Sequence, residues 1–210
     1  MTGIEPKQRA DARRNRELLL QAAVRELSSA GPDVALTAIA RAAGVGIGTL
    51  YRHFPTREAL IEAAYRSELA RLCDAVPDLL ATLPPDQATR AWMDRFIDYA
   101  TTKFGMAEAL RAVIASGGTP YAHSRERLIG SIEALLVASS AAGSLRSDVA
   151  AADLLAGLNG VALTARDPAQ RAQASRLLDL MLDGLRYRAD QPQRPAASHR
   201  ARPDTAESDQ

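Results

Sequence analysis

Between Gly44 and Pro55 the chain has room for only about two turns of helix, and that brevity constrains its fold more than any other feature. The stretch Ala43-Gly44-Val45-Gly46-Ile47-Gly48-Thr49-Leu50-Tyr51-Arg52-His53-Phe54-Pro55 follows Leu36–Ala42, an Ala-rich segment of helical character. It is closed by a proline, which pushes the residue before it out of the α region. Three alternating glycines invite comparison with a nucleotide-binding loop. The dinucleotide fingerprint, however, spaces its glycines G-x-G-x-x-G and follows a β-strand. Gly44-x-Gly46-x-Gly48 is one residue short at the third glycine and follows a helix, so the stretch reads as a tight turn and a very short helix.

Elsewhere Ala and Leu dominate, aromatics make up 4% of the 210 residues, and β-branched residues rarely run together. Propensity therefore favours helix nearly everywhere, and the expected fold class is all-α with about nine helices. Residues 1–11 read as a flexible basic arm with little to bury. Leu19, Leu20, Ala23, Val24 and Leu27 recur at helical spacing from about Ala12 to Ala30, where Gly31-Pro32 is a stop signal. A second helix runs from Leu36 to Ala43 and a third from Ile47 to His53. Thr56 caps a fourth, with Ala59, Leu60, Ala63, Ala64 and Leu69 facing inward, and Pro77 kinks or ends it. Helices over Asp86–Phe104 and Met106–Ala115 follow, then one launched by Thr119-Pro120 and ended at Gly143. One from Ser147 or Asp148 to Ala165 and one from Asp167-Pro168 through Tyr187 complete the set. A helix-turn-helix domain over 12–56 thus precedes a larger bundle over 57–189, and residues 190–210 are expected to be disordered.

Composition excludes several classes. No window approaches eighteen uninterrupted apolar residues, and the basic N-terminus has no apolar stretch behind it, so a soluble, cytoplasmic protein is expected. Cys73 is the only cysteine, which leaves no disulfide framework; burial as a small hydrophobe is favoured over a redox role. His53, His123 and His199 are far apart, and neither H-E-x-x-H, C-x-x-C nor G-x-S-x-G occurs. Neither catalysis, nor a metal, nor a cofactor is expected. The net charge of +1 hides an uneven distribution: nine Lys/Arg face six Asp/Glu in residues 1–60.

Three helices with a Gly-containing turn form a helix-turn-helix, whose second member enters the DNA major groove. Gly48 in its first turn lets the backbone approach the duplex. Ile47 and Thr49 can touch thymine methyls, the Thr49 hydroxyl can hydrogen-bond, and Arg52 can fork onto guanine. Tyr51 and His53 carry donors suited to phosphate oxygens, and Arg57 adds charge at a helix N-terminus that already favours phosphate. Leu50, Phe54, Ile39, Ala40 and Val45 fall on the inward face.

The run Ile39-Ala40-Arg41-Ala42-Ala43-Gly44-Val45-Gly46-Ile47-Gly48-Thr49-Leu50-Tyr51-Arg52-His53-Phe54-Pro55-Thr56-Arg57-Glu58-Ala59-Leu60 resembles the N-terminal signature of the tetracycline-repressor (TetR) family. The resemblance spans about Ala12 to Leu60. It implies a homodimeric, ligand-responsive transcription regulator, usually a repressor, on the major groove of a palindromic operator in double-stranded DNA. It also places Thr49, Tyr51, His53 and Arg57 on typical DNA-contact positions, Arg57 replacing the more usual lysine. Ala35 and Gly46 depart from the family's frequent Ser or Thr, each forfeiting a side-chain cap.

In the larger region, Trp92, Met93, Phe96, Tyr99, Phe104 and Tyr121 mark either ordinary core or a pocket for a small apolar or amphipathic effector. Leu154, Leu158 and Val161, with Leu178, Met181 and Leu185, line two smooth apolar helices that pack either within the chain or across a dimer. The resemblance favours the dimer. An alternative reading of the whole is a helical small-molecule binding protein whose N-terminal helices never touch DNA.

Overall fold

The computed structural model describes residues 6–165 and 167–186. Among these, ten α-helices and one 3₁₀ turn account for the regular structure, with no strand. The all-α expectation holds, and the count differs by one short helix.

Helix α1 (Pro6–Ala30) starts earlier than expected, so residues 6–11 of the anticipated arm are its first turns. It buries Leu19, Leu20, Ala22, Ala23 and Leu27 and ends at Gly31, whose φ of +85° is left-handed. Helices α2 (Leu36–Ala42) and α3 (Ile47–His53) are seven residues each. The turn between them is a Schellman motif. Gly44 at φ +69° lets its own N–H reach the Arg41 carbonyl at 3.0 Å while Val45 N–H reaches the Ala40 carbonyl at 3.0 Å. Helix α3 closes because Phe54, preceding Pro55, is extended. Leu50 and Phe54 bury almost completely against the α1–α2 pair, contributing about 2 kcal/mol each. The Arg16 guanidinium of α1 covers the Phe54 ring at 5.2 Å.

Thr56 caps α4 (Arg57–Asp74) as expected, its hydroxyl oxygen accepting from Ala59 N–H at 3.1 Å. Helix α4 leaves the N-terminal domain and packs against α6, α7 and α8. Pro77 neither kinks nor simply ends it. Instead a separate short helix, α5 (Val76–Thr82), carries Pro77 in its first turn, where its missing N–H costs no bond.

Helix α6 (Pro85–Gly105) runs through the C-terminal domain and touches α1, α4, α5, α7, α8, α9 and α10; α7 is Ala107–Ala115. Helix α8 (Ser124–Ala141) begins later than Thr119-Pro120 suggested. Those residues instead form a turn, with Ala122 N–H on the Thr119 carbonyl at 3.1 Å and His123 at φ 59°. Helix α9 (Ala151–Thr164) is followed by a 3₁₀ turn at Pro168–Gln170, where the Asp167 carboxylate accepts from Ala169 N–H at 2.9 Å, and by α10 (Arg171–Leu185). Tyr187 and the expected tail over 190–210 lie outside the described residues. Among the described residues no helix is long and apolar enough to cross a membrane.

Candidate functional site

Helix α3 presents two unlike faces. Leu50 points into the three-helix core, whereas Ile47, Gly48, Tyr51 and Arg52 are solvent-facing, at the i, i+1, i+4, i+5 positions of one helical surface. Ile47 is 38% exposed and Tyr51 50% exposed, large for apolar and aromatic groups on a seven-residue helix. Thr49 and His53, four residues apart, are half-buried on the flank of that surface. All six residues expected on the DNA-reading helix therefore lie on or beside one open face. Among the described residues Arg41 and Arg52 make no ion pair, so their charge is available to an external anion.

Gly48 has no internal reason to be glycine. A Cβ there would meet nothing within 4 Å, and the backbone is ordinary helix. A glycine in a helix forfeits up to about 1 kcal/mol relative to alanine, so the bare surface comes at a cost in local stability. The same open space surrounds Gly46, which caps α3 without a side-chain bond; Ala35 leaves α2 uncapped in the same way.

Arg57 also makes a contact within the chain. Its guanidinium donates to the Val34 carbonyl at 2.7 Å and also to the Pro32 carbonyl, tying the first turn of α4 to the α1–α2 loop. The side chain is half-buried there, with two of its amino groups already engaged. Sequence spacing carries no sign of this contact, because its partners lie 23 and 25 residues upstream.

In the C-terminal domain, Trp92, Met93 and Phe96 are fully buried, and Trp92 donates its indole N–H to the Leu72 carbonyl at 3.0 Å. They are core. Tyr99 and Tyr121 belong instead to a polar-aromatic cluster around Tyr65 of α4. The Tyr65 and Tyr99 hydroxyls are 2.7 Å apart, Tyr65 donates to the Ser124 hydroxyl at 3.3 Å, and Tyr121 stands edge-on to Tyr65 at 5.2 Å. Burial pushes the Tyr99 and Tyr121 phenols up, and neighbouring Tyr65 adds to it, so both stay neutral donors. Tyr99 also floors an open cleft of about 320 Å³ between α4 and α6. That cleft carries Glu68, whose carboxyl is raised by burial despite its pairing with Arg71. Phe104 lines another cleft, of about 570 Å³, bounded by Ser28 of α1 and Arg111 of α7. The half-buried Cys73 thiol is pushed up by burial, which lowers its thiolate fraction.

The apolar residues expected at a dimer seam serve the core of one protomer. Leu154, Leu158, Val161, Leu178 and Leu185 are buried, and Met181 half-buried, in a single protomer, where α9 and α10 pack on α6 and on each other. The outer faces of these helices carry a different set: Ala156, Gly160 and Leu163 on α9, with Leu180 and Gly184 on α10. Leu163 is 55% and Leu180 68% exposed.

Two family models match the chain. One, described as bacterial regulatory proteins of the tetR family, covers residues 19–64; the other, a transcriptional regulator SbtR-like C-terminal domain, covers residues 84–187. Among solved structures, the TetR transcriptional regulator SCO0520 from Streptomyces coelicolor is 64% identical, with 81% of this chain and 98% of that one covered at a TM-score of 0.79. A TetR transcription regulatory protein from Mycobacterium vanbaalenii is 32% identical, with 85% and 99% covered at a TM-score of 0.71. A curated relative, the HTH-type transcriptional regulator SAR0097 of Staphylococcus aureus, is 33% identical over 78 residues, and the chain spans 40% of its length. Matched in this way along both its reading helices and its C-terminal bundle, the chain belongs to the TetR family of transcriptional regulators, DNA-binding factors and not enzymes.

Proposed function

We propose that the protein is a homodimeric, ligand-responsive repressor that reads a palindromic operator. The observation that carries this reading is the open face of α3, with its bare Gly48, unpaired Arg52 and half-exposed Tyr51. Ile47, Thr49 and Arg52 are the base readers, with Gly48 allowing approach, while Tyr51 and His53 fix the register on phosphates. Arg57 holds α4 to the α1–α2 loop, so that the reading helix and the start of α4 move together. Two copies meet through the outer faces of α9 and α10, where exposed Leu163 and Leu180 flank small residues that permit close helix approach.

An effector in the C-terminal domain acts by shifting α4, which runs from the reading domain to the Tyr65 cluster. A ligand can shift this equilibrium only by binding the two arrangements differently. The test is a mobility shift on DNA fragments enriched by the purified protein, with and without effector. Retarded bands of two-fold symmetric sequence support the reading, and retardation of every fragment alike counts against it.

A further inference from the structure

Among the described residues, the half-buried cations of the C-terminal domain are matched by acids, with one exception. Arg90 is held by Asp94 and Asp179, and Arg171 by Asp94 and Asp98. Lys103 of α6 is half-buried as well, yet among the described residues it makes neither an ion pair nor a hydrogen bond. Its ammonium lies 4.7 Å from the centroid of the Tyr121 ring, and that ring stands against Tyr65. Burial pulls the Lys103 amine below its usual range with no acid to oppose it. Arg111, which lines the 570 Å³ cleft, opposes with its charge part of the upward push on the Tyr121 phenol. A desolvated charge without a counter-charge is costly, and a cation–π contact offsets only part of that.

We infer that Lys103, over the Tyr121 ring, receives the head group of a small organic carboxylate whose apolar body lies against the exposed Tyr121. This rests on the reading of the C-terminal domain as an effector receiver. A monoanion matches one ammonium flanked by aromatic surface, whereas a dianionic phosphate calls for a denser set of donors. The location also connects to the reading domain. Arg66, next to Tyr65 on α4, donates to the Thr119 carbonyl at 3.2 Å, so the turn bearing Tyr121 is fastened to α4. A carboxylate that draws Lys103 away from Tyr121 frees that turn from α6 and leaves it fastened to α4 alone.

The chain has two lysines, Lys7 and Lys103, so reductive methylation with ¹³C gives a spectrum with few signals and leaves the charges in place. Octanoate and phenylacetate are titrated into the full chain against octanamide and phenylacetamide, with the Lys103 signal assigned from Lys103→Met. The expected result is a saturable shift of the Lys103 signal with the acids alone, while Lys7 stays fixed. Lys103→Met should melt at a higher temperature, because the unmatched charge is gone, and should lose acid binding by calorimetry. Millimolar acid that leaves the Lys103 signal in place overturns the proposal, as does a Lys103→Met melting temperature lowered to the extent of a core truncation. Acids that move the signal but not operator affinity leave this site standing and remove the coupling. Acids that release the operator without moving the signal keep the receiver and remove this site.

Discussion

Replacing Arg57 separates two roles that the same residue can play at the start of α4. As a phosphate contact it would contribute about 0.9 to the slope of log affinity against log salt; as an internal tie it contributes nothing to that slope. The structure engages the guanidinium with the Val34 and Pro32 carbonyls. Bonds from a charged donor contribute about 1.5–3 kcal/mol at full burial. Because the side chain is half-buried, water recovers part of this, and Arg57→Ala should cost about 2 kcal/mol for the pair. For a chain of this size that is a melting temperature lower by roughly 4–8 °C. Arg57→Lys keeps the charge but replaces a planar fork with a single point donor, and should lose about half as much. Fluorescence anisotropy on an enriched duplex, from roughly 50 to 200 mM salt, reads the other term. Both variants should bind more weakly by a constant factor at every salt concentration. A slope reduced by about one unit in Arg57→Ala, with an unchanged melting temperature, would refute the tie and restore the phosphate contact.

Other substitutions probe the remaining assignments. Tyr51→Ala should weaken binding about tenfold on every sequence alike, consistent with loss of one charge-assisted bond to phosphate, and anisotropy on matched and scrambled duplexes checks it. Gly48→Ala should raise the melting temperature by about 2–4 °C through helix propensity and lower operator affinity; unaltered affinity would remove the close-approach role. Leu158→Ala should destabilise the protomer by about 2–5 kcal/mol in denaturant titration, because Leu158 is fully buried within one chain. Leu180→Arg, on the exposed face, should shift sedimentation towards the monomer, and any change in that curve should vary with protein concentration.

What could be read from the sequence was what local chemistry determines. Gly44 and Pro55 bracket α3 because a left-handed turn and a pre-proline residue are properties of the residues themselves, and the Thr56 cap needs only a hydroxyl three residues before a free N–H. The open face of α3 followed from its length and period. What stayed hidden depends on distant partners. Nothing around Arg57 announces the carbonyls of Pro32 and Val34, and helical spacing shows that Leu158 or Leu178 is buried without showing whether the neighbour belongs to the same chain. Thr119-Pro120 carries a signal shared by helix starts and turns, and the turn forms here with His123 left-handed. Lys103 drew no notice as a single residue; its meaning comes from its place over Tyr121 with no acid paired to it among the described residues, which only the packed structure displays.

Everything proposed for the dimer and its effector depends on α3 reading DNA. Selection of duplexes from a random pool by the purified protein, followed by affinity measurements on the winners across a salt series, tests it. The predicted result is a two-fold symmetric consensus whose half-sites are centred about one helical turn, or a multiple of it, apart, with affinity falling steeply as salt rises. Recovery of no consensus, or binding that is indifferent to salt, would contradict it.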